Sequence, residues 1–237
     1  MDNRYRNVFW ILAFTTLASL VLYGLGAVAQ PPPSGPHGFI PDSLEAAPRP
    51  ASLLARLSPV FVLVYAFSFL PVVVLFTIAK FRAQPFGMIL GSCLVVTSLL
   101  IEIINALPLT AHLVAHPRAA GVPPDVVLYM MQTDAVRFLA LDVAGFTLAY
   151  VGLVVFAVVL VREHRWLARL VVASTLLFAA NVPLLWVQPW VAVLLMVASI
   201  FAFAGIPLLL AGIAIREVSS LAIPMTGRQP ASCGAPL

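Results

Sequence analysis

The feature that most constrains this chain is the stretch from Leu170 to Ile215, 46 residues without a single Asp, Glu, Lys or Arg. A bilayer core takes about 20 apolar residues per helix, so the stretch is too long for one crossing and right for two. Val187-Gln188-Pro189-Trp190 supplies the break, a polar, proline-marked turn flanked by Trp186 and Trp190. Amphipathic indole rings favour the membrane–water interface, which places this tight hairpin at a surface. The rest of the chain follows the same rule, with further spans expected at about 8–29, 57–80, 85–107 and 138–161, and the hairpin giving 168–187 and 190–215.

Composition closes the alternatives. Hydrophobic residues make up 62% of the 237 and charged residues 9%, where soluble domains carry about 25% charged residues. No segment has the makings of a water-facing domain. The expected fold class is therefore all-α, a polytopic transmembrane helical bundle of six spans forming a single domain over residues 1–218. The net charge of +4 does not indicate nucleic acid, because the basic residues stand in small groups at the ends of apolar runs. The partner this implies is the lipid bilayer.

Those basic residues also give a direction. With the N-terminus inside, the inner segments hold Arg4, Arg6, Lys80, Arg82, Arg162, Arg165, Arg169, Arg216 and Arg228, and the outer ones only Arg49, Arg56, Arg118 and Arg137. This positive-inside bias predicts a multi-pass protein of a bacterial inner membrane with both termini cytoplasmic. Arg4 and Arg6, an apolar run and Ala27-Val28-Ala29 also resemble a signal peptide with its cleavage site; the run is longer than such signals carry, and cleavage would leave five spans. Residues 30–56 read as a Pro-rich outer loop of extended character. Residues 108–137 read as a second outer loop, in which Val126 to Phe138 suits an interfacial helix starting at Pro124 or Asp125 and feeding directly into the fourth span. Residues 219–237 read as a disordered cytoplasmic tail.

Ionisable groups inside a span cost about 2.5–3.5 kcal/mol at the helix centre on insertion scales and face protein or a wet cavity where they persist. Two occur here, Glu102 in the third span and Asp142 in the fourth. Asn105 and Asn181 add two of the chain's four asparagines. With the spans oriented as above, all four fall in the outer half of the membrane, and Tyr23 and Tyr65 reach a similar depth. At 100° per residue, Gly91, Ser98, Glu102 and Asn105 share one face of the third helix. His112 and His116 join that face if the helix survives Pro108. Asp142 shares its face with Gly145 and Ala149, small residues that admit a neighbouring helix. Glu102, Asn105, Asp142 and Asn181 are thus the candidate ligand-binding residues, with an interhelical hydrogen-bonded lock as the plain alternative. Gly87 and Gly91 read as a packing contact.

Other polar features read as ordinary. Pro71, Pro183 and Pro207 each free a carbonyl four residues earlier, and Asn181 stands close to the break made by Pro183. His112 and His116 have the i, i+4 spacing of a metal pair but no acidic residue between them and Pro117 at once after, so they read as solvated. Cys93 and Cys233 have no zinc or redox spacing. No metal and no cofactor is expected, and no P-loop, GxSxG or zinc-protease motif is present.

With Ile101-Glu102 following an apolar run, a Pro-rich outer loop, and Arg162 to Arg169 before the last hairpin, the chain resembles an uncharacterised bacterial family of six- or seven-span membrane proteins, a domain of unknown function. The 31–56 loop is longer than that pattern, and the resemblance implies no activity. Three readings of function stay open. One is binding or conduction of a small ligand or ion through an outward-facing polar pocket. The second is an intramembrane enzyme acting on a lipid or isoprenoid with one carboxyl as general acid. The third is a scaffold or accessory subunit with a membrane-protein partner or a second copy of itself.

Overall fold

The computed structural model describes residues 3–28, 53–82, 84–114, 124–187 and 189–222. They form seven helices: α1 (Asn3–Val28), α2 (Leu53–Lys80), α3 (Pro85–Val114), α4 (Pro124–Leu160), α5 (Arg165–Val187), α6 (Pro189–Ala204) and α7 (Ile206–Ala222). Six stretches are long and apolar enough to cross a membrane, the last formed by α6 and α7 together. The chain is an all-α, six-span bundle, a multi-pass membrane protein.

The third and fourth crossings fall at Pro85–Leu107 and Ala140–Leu160, close to the spans expected, while their helices run on beyond the apolar stretch. The helix of α3 passes through Pro108 to Val114, and α4 is one unbroken helix of 37 residues. At 1.5 Å per residue α4 is about 55 Å long against a core of about 30 Å, so its first turns extend beyond the apolar layer as a continuation of the span. The sixth crossing is displaced to Leu194–Ser219 and is interrupted at Gly205, two residues before Pro207. Helical bonding resumes with Leu209 N–H donating to the Gly205 carbonyl at 3.3 Å. The last helix continues to Ala222, past the start expected for the tail. By contrast, α2 and α5 run straight through Pro71 and Pro183. The loop expected at 30–56 lies outside the described residues as far as 52, and most of the tail and His116 lie outside them too.

Lipid tails are as apolar as leucine, so close packing holds such helices together more than the hydrophobic effect does. The most extensive pairing is α3 with α4, followed by α1 with α2. Glycine makes the first of these possible. A Cβ on Gly91 would lie 2.6 Å from the Phe156 ring and 3.0 Å from the Gly152 carbonyl, and one on Gly152 would lie 2.7 Å from the Gly91 carbonyl. Gly87 likewise lies tight against Val159. The Gly87/Gly91 spacing is a packing contact, as its sequence suggests.

Aromatic rings fill the interior where the helix backbones stand farther apart. Phe203 of α6 sits among Tyr65, Phe69, Phe146 and Tyr150, with ring centroids 5.4–6.4 Å away. Each contact is edge-on, the arrangement ring quadrupoles favour. Buried hydroxyls find partners close by: Thr16 donates to Ser68 at 2.9 Å between α1 and α2, and Thr77 pairs with Ser92 between α2 and α3.

Candidate functional site

The two carboxyl-bearing spans are the most closely packed pair of helices. Glu102 points from α3 onto α4 and is 2% exposed. Its Oε1 lies directly against Gly145, in the space any larger residue's Cβ would fill. Asp142 precedes Gly145 by three residues, one turn along the same face of α4. The glycine is therefore what allows the Glu102 carboxyl to approach the helix that carries Asp142.

Tyrosines from two further helices complete the cluster. The buried Tyr23 of α1 hydrogen-bonds the Asp142 carboxyl and lies within electrostatic range of Glu102. Because α1 and α4 do not pack directly, this contact depends on the reach of the phenol across the bundle. Tyr65 of α2, 2% exposed, lies within range of Glu102 on one side and Tyr150 on the other. Tyr150 bonds Ser199 at 2.5 Å, and Ser199 donates to the Ser174 carbonyl at 3.2 Å. A row of polar groups thus leads from the acidic pair across α2 and α4 to α5 and α6.

Glu102 and Asp142 lie close enough to interact electrostatically. Neither has a Lys or Arg partner among the described residues. Glu102 Oε1 and Asp142 Oδ1 are buried with no hydrogen bond. Arg137, on the same helix as Asp142, is exposed.

Of the four residues singled out in the sequence, Glu102 and Asp142 are brought together. Asn105 lies one turn from Glu102 on α3 and is equally buried. Asn181 is buried in α5, but no hydrogen bond among the described residues joins it to the pair. Its Oδ1 is buried with no hydrogen-bond partner. Two open clefts lie away from the pair, one at the α4–α5 turn and one along α1 and α2.

A second polar centre escaped sequence reasoning. Lys80, the chain's one lysine, is 5% exposed at the end of α2 and bonds Glu163 at 2.8 Å and Glu217 at 2.5 Å. The turn after α4 positions Glu163, its N–H bonding the Leu160 carbonyl. Glu217 comes from α7. The Lys80 bond and charge hold Glu163 below the usual carboxylate range, and burial, then the Lys80 charge, push His164 down. Donor atoms of Glu163, His164 and Glu217 lie within 4.8 Å of one another, a metal-like spacing. The Lys80 ammonium already stands between the two carboxylates, so this is an ion-paired clasp joining α2, α7 and the α4–α5 turn.

Fold and site together define a multi-pass helical membrane protein in which a buried Glu102 meets a half-buried Asp142. Comparison with family models, curated proteins and solved structures returns no match.

Proposed function

We propose that this protein binds a proton or a small cation at the Glu102–Asp142 pair and passes it across a bacterial inner membrane. The observation that carries the reading is the meeting of two carboxyls inside the apolar layer with no Lys or Arg among the described residues to balance them. A single buried carboxyl is explained by a hydrogen-bonded lock. Two facing each other need a positive charge between them, since neighbouring like charges are costly in a low-dielectric interior. A mobile ion supplies that charge. The tyrosines offer neutral oxygens that suit the same ligand, and the row from Tyr65 through Tyr150 to Ser199 offers a polar way onward.

The charge asymmetry of the loops supports cytoplasmic termini, which would put the pair in the outer half of the membrane.

Reconstitution into proteoliposomes tests it. Proton, sodium and potassium gradients are imposed in turn, and flux is followed with ion-sensitive dyes. Wild-type protein is expected to dissipate at least one gradient, and Glu102→Gln and Asp142→Asn each to remove that flux. Wild-type flux retained in both variants, or none in the wild type, overturns the proposal.

A further inference from the structure

We propose that the cleft formed by the α4–α5 turn and the first three turns of α5 is a binding site for an anionic phospholipid, independent of the acidic pair. The cleft encloses about 660 Å³ and is lined by Val161, Arg162, Arg165, Arg169, Val172 and Leu176, with two alanines between them. Arg165, Arg169, Val172 and Leu176 follow the i, i+4, i+7, i+11 spacing of one helix face. Charge is therefore confined to one end of the cleft and the floor below it is apolar. From Arg165 to Leu176 the helix rises about 16 Å, close to the ~15 Å of one hydrocarbon leaflet.

Among the described residues, nothing neutralises the charged end. Arg162, Arg165 and Arg169 are exposed and form no ion pair among the described residues. Glu163, the nearest acid in sequence, is turned to Lys80 at 2.8 Å. The clasp thus withdraws the one local carboxylate and leaves three guanidiniums on the same rim. Trp166, 75% exposed, marks the interface, and Arg169 stands over its ring at 5.1 Å. That contact fixes a guanidinium at headgroup level without consuming its charge.

This chemistry selects one occupant. Guanidinium forks match phosphate oxygens, and an acyl chain covers the Val172–Leu176 floor. A free phosphate would satisfy the rim and leave the floor bare. A zwitterionic lipid would cover the floor and bring no net charge. Each basic residue near an anionic surface contributes about fivefold in affinity, so the three together favour an anionic over a zwitterionic headgroup by roughly a hundredfold at most.

The test uses the full chain in nonionic detergent, offered equimolar phosphatidylglycerol and phosphatidylcholine of identical acyl chains and read by native mass spectrometry. Wild type is expected to retain phosphatidylglycerol at least about tenfold over phosphatidylcholine. Arg162→Gln, Arg165→Gln and Arg169→Gln should each cut that preference about fivefold, and the triple variant should abolish it. Arg82→Gln, outside the cleft, should leave it intact. The single variants decide the matter if the triple variant fails to elute as a monodisperse species. Equal retention of the two lipids by wild type, or an equal loss on Arg82→Gln, overturns the proposal. So does displacement by millimolar inorganic phosphate as effective as that by a short-chain phosphatidylglycerol.

Discussion

One methyl group added at Gly152 should weaken the bundle measurably, whereas the same change at Gly24 should not. At Gly152 the new Cβ would stand 2.7 Å from the Gly91 carbonyl oxygen, 2.8 Å from Val95 Cγ2 and 3.1 Å from Leu94 Cβ. Two of those atoms cannot rotate away, so α3 and α4 must separate. Overpacking of this kind costs about 1–3 kcal/mol, and the upper end applies because backbone has to move. Helix propensity returns about 1 kcal/mol on Gly→Ala, leaving a net loss of about 2 kcal/mol. At Gly24 the Cβ would meet only Ile200 Cγ2 at 3.5 Å, an ordinary contact, so the propensity gain stands alone. For a chain of this size about 2 kcal/mol lowers the melting temperature by roughly 4–8 °C. The assay is loss of the monodisperse gel-filtration peak on heating in a mild detergent. A Gly152→Ala protein as stable as wild type, or a Gly24→Ala protein that falls equally far, would refute the claim that α3 and α4 touch backbone to backbone here.

Three further outcomes follow from the polar contacts. Lys80→Met leaves Glu163 and Glu217 side by side; as they are 55% and 37% exposed, water recovers part of the loss, which should be about 1–3 kcal/mol. Adding Glu163→Gln and Glu217→Gln should restore most of the melting temperature, and a lone Lys80→Met that melts like wild type would count against the clasp. His164 has its protonation disfavoured in the folded state by burial and Lys80 and favoured by Glu163 and Glu217, with Arg216 also opposing it. A lowered histidine means that stability falls as pH drops through its unfolded value of about 6.5 and levels off below the folded value. His164→Gln should flatten the pH dependence of melting between about pH 7 and 5, and an unaltered profile would exclude His164 as its source. Tyr150→Phe should cost about 1 kcal/mol, because Ser199 keeps the Ser174 carbonyl as acceptor. Ser199→Ala strands the buried Tyr150 hydroxyl and should cost more; the reverse order in melting temperatures would refute the hydrogen-bond arrangement.

The six crossings were legible because a bilayer sets one length and one polarity, and the stretch from Leu170 to Ile215 satisfies both twice. Glu102 and Asp142 were legible for a related reason: each stands on a helix face with small residues, and Gly145 is the point where one meets the other. Helix ends were less visible. Pro108 leaves the end of α3 open in sequence, and the helix continues through it to Val114, while the interruption near Pro207 falls at Gly205, where no side chain resists a turn. The Lys80–Glu163–Glu217 clasp was hidden because its members come from three distant segments, and each alone resembles an ordinary charge at a helix end. A signal was present in the use of a single lysine among twelve arginines. Likewise, Asn181 has the composition of a site residue, but its register on α5 provides no link to the pair.

Whether the acidic pair holds an ion can be read from the melting temperature of the purified protein as sodium, potassium and proton concentrations are raised separately. A ligand bound only by the folded state stabilises it by about 2.7 kcal/mol at a hundred times its Kd, a shift of several degrees. Wild type should rise with at least one of the three ions, and Glu102→Gln, Asp142→Asn and the double variant should all lack that rise. A wild-type protein indifferent to all three, or single variants that keep the wild-type slope, would contradict ion binding at Glu102 and Asp142.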